Sequence, residues 1–225
     1  MRHTPEEFAK LLESLSSDVV NAHIHWRMAT ELGNSLAAHP LVFAQSNTFW
    51  SLTHQAHIAT SLQCLSRAFD QEHSSLHLPS LLRTIKNNLE IFDADKFRVR
   101  LKDNPFVESL AETAEKPDER QLTEDIKLCT SKDPDVRLLA TYRNSRAAHR
   151  SKKLALHPDR TADAPVLTDA VVKNLLSRAQ TILNRYSRMF SASTYSMNIV
   201  GKDDFKYIIE VVETAVLMSR SSRGA

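Results

Sequence analysis

The stretch ATYRNSRAAHRSKKLALHPDR, residues 140–160, carries the chain's most suggestive chemistry. It gathers Arg143, Arg146, Arg150, Lys152, Lys153 and Arg160 with His149 and His157, against one acid, Asp159. Guanidinium and ammonium groups at this density bind phosphate oxygens, and an imidazole among them can move protons near neutral pH. Two functions follow from such a composition: a solvated basic helix face, or a site that holds or cuts RNA. Arg143 decides between them locally. It lies four residues after Leu139 and four before Ala147. That spacing puts the cation on the same helix face as the apolar side chains. A charge on an inward face must find a partner or reach a cleft. Arg146 and His149 follow at three-residue steps, and Ala147 and Ala148 leave room for a neighbouring helix or a ligand.

The chain that must position these groups has 225 residues, 42% hydrophobic and 25% charged, with a formal net charge of +2. This is a globular balance, and any basic footprint has to be local rather than a global field. Three glycines in the whole chain are too few for a sandwich's turns, and no Gly-rich loop is present to cradle phosphates. Residues that favour helix are plentiful. The expected fold class is all-α, an antiparallel helical bundle.

Helix starts are legible. Thr4, Pro5 and Glu7 form an N-cap, first helical position and capping-box acid. Phe8, Leu11, Leu12, Leu15, Val19, Ala22 and Trp26 then mark one face, and Gly33-Asn34 is the expected stop. A second helix is expected over Val42–Gln71 with Phe49, Leu52, Ala56, Ala59, Leu62, Ser66 and Phe69 inward, and a third after Pro79. Asp133 and Pro134 open the helix that carries the basic stretch, and residues 157–165 break it. Helices resume over Val166–Phe190 and after Asp203, with residues 219–225 as a frayed tail. No Pro/Gly/Ser linker divides the sequence, so residues 1–225 read as one domain. Its polar middle segment, 93–132, interrupted by Pro105 and Pro117, is the expected mobile part.

Other constellations point to structure. His23, His25, His54 and His57 suggest a metal site, but the nearest acids, Glu31 and Asp70, lie more than a turn away. Helix–helix hydrogen bonds are the commoner use of such residues, so no metal and no cofactor are expected. Trp26, Trp50, Phe43 and Phe49 fall on apolar stripes and read as core. Cys64 and Cys129 lack metal-type spacing and suit a reducing compartment. The N-terminus has no signal-peptide layout and no apolar run reaches the roughly 20 residues that cross a bilayer. The expectation is a cytoplasmic protein that does not engage the membrane.

The segment YRNSRAAHR resembles the signature of HEPN domains: Arg, four to six residues, then His, with a polar residue after the Arg. More narrowly, RNSRAAHRSKK is similar to the HEPN-like abortive-infection family of AbiU type. The Phe49-Trp50 pair and the SLLRTI helix also fit that family's layout. The resemblance covers most of the chain in helix order and about ten residues in specific motif. The bare pattern occurs three times, at Arg67/His73, Arg143/His149 and Arg150/His157, and only the middle one has Asn144 after the Arg and Ala148 before the His. The resemblance implies a homodimer with two motifs facing one cleft, and a phage-defence or toxin-type function. It also implies a possible metal-independent endoribonuclease. In that reading His149 is the general base or acid, Arg143 steadies the phosphorus-centred transition state and Asn144 orients one of them or the phosphate. Arg146, Arg150, Lys152 and Lys153 hold the flanking RNA backbone. RNA and an antitoxin protein are the implied partners. The alternative is a non-catalytic helical dimer that binds a nucleotide, RNA or a protein.

Overall fold

A computed structural model describes residues 2–144, 166–198, 201 and 203–223. Among the described residues the protein is all-α, without strands. The helices are α1 (Pro5–Ala38), α2 (Pro40–Gln45), α3 (Asn47–Ala68), α4 (Leu78–Lys86), α5 (Ala94–Arg100), α6 (Val107–Glu112), α7 (Glu119–Leu128), α8 (Pro134–Tyr142), α9 (Asp169–Ser191) and α10 (Asp204–Arg223), with a 3₁₀ turn at Leu89–Phe92 between α4 and α5. None of them is long and apolar enough to cross a membrane.

The chain forms two compact units. The first comprises Met1–Val20 and Gln63–Tyr195, the second Asn21–Leu62 and Ser196–Ala225. Helices α1 and α3 each contribute a segment to both.

In the first unit the capping box at α1 forms as its sequence dictates. The Thr4 N–H donates to the Glu7 carboxylate at 3.0 Å, and the Glu7 N–H to the Thr4 hydroxyl at 3.2 Å. The inward face of α1 then buries Phe8, Leu12, Leu15 and Val19. Phe8 packs edge-on against Phe92 and Phe190, at centroid distances of 5.6 and 4.8 Å. Arg100 caps this cluster from the C-terminal end of α9. Its guanidinium lies 4.0 Å from the Phe190 ring centroid and donates to the Phe190 carbonyl at 2.7 and 2.9 Å. Burial lowers its pKa to about 10. Helix α9 starts at the Thr168 N-cap and buries nine side chains, from Val172 to Phe190. The polar middle segment folds into α5, α6 and α7 and supplies Phe97, Leu122 and Asp125 to the interior.

The second unit is built on Leu32, Leu36, Val42, Trp50 and Ile209, with Phe205 and Val212 of α10 packed against them. Here the sequence expectations need correction. Helix α1 does not stop at Gly33-Asn34 but continues to Ala38. Gly33 serves a close approach instead: a Cβ there would lie 3.1 Å from Nε2 of His54. The expected Val42–Gln71 helix is two helices, α2 and α3, separated at Ser46. The inward face of α3 begins with Trp50, 8% exposed, whereas Phe49 and Leu52 are 60% and 61% exposed. At the other end α10 extends through Arg223. The histidines of α1 and α3 do form an interhelical contact, with His25 and His57 Nδ1 atoms 2.8 Å apart. Burial, with His25 and His54 nearby, lowers the His57 pKa. Among the described residues no cluster of three or more His, Cys, Asp or Glu side chains could hold a metal ion.

Candidate phosphate-binding site

Helix α8 starts where the sequence says it should. The Asp133 carboxylate accepts from the N–H groups of Asp135 and Val136 at 3.0 and 3.2 Å, and Pro134 occupies the first turn. The same cap is tied to α9, because Arg178 donates to Asp133 at 2.8 Å and to Asp135 at 3.4 Å. With both ends of that bridge mostly buried, α8 is fixed in rotation and Val136 and Leu139 point into the core. Arg143 follows on that face.

Arg143 has found a partner. Its Nη1 donates to Asp70 Oδ1 at 2.8 Å, with the two side chains 33% and 20% exposed. Its Nε donates to the Asn144 side-chain oxygen at 3.3 Å. The Nη2 edge has no acceptor among the described residues. The pair borders a small hollow of about 20 Å³ lined by Ser66, Phe69, Gln71, Leu139 and Ala140. Among the described residues the Arg143 guanidinium is thus engaged through Nη1 and Nε.

Asp70 sits just beyond the C-terminus of α3, and its own position is fixed. Its Oδ1 accepts the Gln71 N–H at 2.7 Å and lies 3.4 Å from the Glu72 N–H. The Gln71 side chain in turn donates to the carbonyls of Phe69, Asp70 and Cys129 at 2.8, 3.0 and 3.1 Å. Burial alone would raise the Asp70 pKa. The bonds from Arg143 and from the backbone N–H groups outweigh it and leave the carboxylate below its ordinary range.

The first of the three Arg…His patterns behaves differently. Arg67 donates from Nε to both Asp18 oxygens at 3.1 Å, also contacts Asp18 through Nη2, and reaches the Cys64 sulfur at 3.3 Å. Its fork is consumed by a carboxylate on α1, so it reads as a helix tie. Of the sequence-nominated site residues, the structure places Arg143 and Asn144 side by side. His149, Arg146, Arg150, Lys152 and Lys153 lie outside the described residues, as do the third pattern and the expected break at 157–165.

Sequence reasoning missed Asp70 as a partner of the motif, although an acid directly after a helix end is a visible feature. It also missed Asp125, 1% exposed, which binds Arg185 and accepts from Tyr186 Oη at 2.8 Å and Gln121 Nε2 at 3.0 Å. A larger hollow of about 390 Å³ in the same unit is lined by Phe97, Leu110, Thr113, Arg188 and Met189 among others, and holds no motif residue.

No curated protein and no solved structure matches this chain. The HEPN AbiU2 family, described as AbiU2, matches residues 5–209, which include the motif and the Asp70 that binds Arg143. With nearly the whole chain matched in this way, the protein belongs to the AbiU2 family of HEPN-like abortive-infection proteins.

Proposed function

We propose that this protein is a toxin-type, metal-independent endoribonuclease whose active centre is the Arg143–Asn144…His149 motif. The observation that supports the reading is the half-buried Arg143 guanidinium, bonded to Asp70 through Nη1 and to Asn144 through Nε, at the border of a small hollow. Phosphoryl transfer within RNA asks little else of a protein. A base removes the proton of a ribose 2′-hydroxyl, the 2′-oxygen bonds to phosphorus, the bond to the 5′-oxygen breaks, and an acid returns a proton to that oxygen. Histidine suits the proton steps because its ordinary pKa lies near neutrality. In this reading His149 supplies one of them, and Arg143 donates to the equatorial phosphate oxygens. Asn144, bonded to the Arg143 Nε, keeps the fork aimed. Arg146, Arg150, Lys152 and Lys153 grip the flanking backbone without reading sequence. A homodimer sets two motifs across one cleft, an antitoxin protein is the expected regulator, and the cytoplasm is the place of action. No cofactor takes part.

The test is cleavage of single-stranded RNA in EDTA by the purified chain. Cleavage should occur, and His149→Ala should abolish it without loss of helical circular dichroism. Cleavage that needs a divalent cation, or that survives in the variant, rules the mechanism out. One observation favours a second reading: Asp70 already neutralises Arg143. A site of that kind suits a non-catalytic module that binds a nucleotide, RNA or a protein. It predicts binding without turnover, weakened by Arg143→Ala.

A further inference from the structure

The turn that carries Asp70 is closed by an imidazole. His77 is 1% exposed and is the N-cap of α4. Its Nδ1 accepts the Ser80 N–H at 3.1 Å, and its Nε2 lies 3.0 Å from the Glu72 carbonyl oxygen. An amide N–H can only donate and a carbonyl oxygen can only accept, so the two partners fix the ring as the neutral tautomer with its proton on Nε2. Burial, with Arg83 of α4 acting in the same sense, outweighs the Glu72 carbonyl and the Asp70 and Glu72 carboxylates and lowers the His77 pKa.

Capping alone does not call for this residue. Ser, Thr, Asp and Asn cap a helix with a single side-chain oxygen, and a cap uses only Nδ1 of the ring. The second nitrogen is spent on the turn behind, where Glu72 is the pivot. The Glu72 carbonyl takes the His77 Nε2–H at 3.0 Å and the Ser75 N–H at 3.1 Å. The Glu72 N–H lies 3.4 Å from Asp70 Oδ1, the oxygen that accepts from Arg143 at 2.8 Å. The neighbouring Gln71 N–H donates to the same oxygen at 2.7 Å. A buried imidazole thus anchors one side of Glu72, and the carboxylate that binds the motif arginine meets the other. All of these residues belong to the first unit.

We propose that His77 is a positioning residue for the motif: its neutral ring fixes the turn 70–77 through the Glu72 carbonyl, and the turn in that shape presents Asp70 to Arg143. The effect on turnover rests on the ribonuclease reading, whereas the effect on the turn does not.

Two substitutions separate the ring's two nitrogens. Asn places its side-chain oxygen near the Nδ1 position, so His77→Asn keeps the α4 cap and loses the bond to Glu72. Gln places its amide nitrogen near the Nε2 position, so His77→Gln keeps that bond and loses the cap. Hydrogen exchange is read by NMR on the full-length chain, at the Gln71 N–H and the Arg143 guanidinium. His77→Asn should speed both about tenfold, the scale of one lost hydrogen bond, and His77→Gln should leave them within about twofold. A ring that serves only as a cap gives the reverse. With RNA as substrate, His77→Asn should lower kcat about tenfold and leave KM within about twofold. One check needs no variant: nitrogen NMR shifts of the wild-type imidazole should show the neutral Nε2–H tautomer at pH 7. Exchange unchanged by His77→Asn, exchange raised as much or more by His77→Gln, an unchanged kcat in His77→Asn, or a His77 ring protonated on Nδ1 overturns the proposal. A wild type that does not cleave RNA strikes the ribonuclease reading alone, and the exchange rates still decide the role of His77.

Discussion

Replacing Asp70 by Asn probes whether the Arg143 guanidinium is held electrostatically or merely rests near a carboxylate. The two charges are 2.8 Å apart and both side chains are mostly shielded. Coulomb's law at an effective dielectric near 20 gives a gross attraction of about 6 kcal/mol at that separation. Desolvation of both groups and the ordering of the arginine cancel most of it, which leaves a net coupling of about 1–2 kcal/mol. Asn keeps a neutral acceptor for Arg143 and for the Gln71 N–H, so the single substitution should cost only about 1 kcal/mol, or about 2–4 °C in a chain of this size. The clean measurement is a double-mutant cycle of Asp70→Asn and Arg143→Gln by thermal unfolding in low salt, repeated across pH. The Asp70 carboxyl is held below its ordinary range, so its contribution is complete above the unfolded-state value. It should persist at pH 5 and vanish only as pH falls below about 4, through the lower folded-state value. Additive single mutants, with coupling under about 0.3 kcal/mol, or a coupling already lost by pH 5, would refute the argument that Asp70 orients the motif arginine.

Asp125→Ala should cost about 3–5 kcal/mol, because it strands the Arg185 charge and leaves the buried Tyr186 hydroxyl without its acceptor. Denaturant unfolding would show this as a lower midpoint at constant slope, and a loss under about 1 kcal/mol would contradict the burial argument. The lowered His57 pKa means that the unfolded chain takes up its proton first, so stability should be complete above about pH 6.5 and fall as pH drops below that value. His57→Gln should flatten the stability profile between pH 7 and 5, and an unaltered slope there would show that the His25–His57 contact is not responsible.

The sequence made visible whatever is encoded within one turn of helix. Thr4 with Glu7, Asp133 with Pro134, and Thr168 all cap where their types and spacing require, since each signal is complete within four residues. The position of Arg143 on the apolar side of α8 was legible for the same reason. Its counter-ion was not, because Asp70 is brought to it by tertiary packing across 73 positions of sequence. Gly33 misled in the opposite direction. Glycine is a common helix stop, yet here the absence of a side chain admits the His54 ring and the helix runs on. Phe49 and Leu52 follow an apolar period that the fold does not bury, while Trp50, one position away, takes the interior place. A helix with apolar residues on several sides carries more than one admissible inward face, and periodicity alone does not choose among them.

The meeting of Phe8 with Phe190 also bears on how the polypeptide is made. At typical synthesis rates of about 5–20 residues per second, the first aromatic waits roughly 10–35 seconds for the second to leave the ribosome. During that interval Phe8 can meet Phe92 but lacks its second aromatic neighbour. The aromatic cluster of the first unit is therefore complete only once Phe190 has been translated.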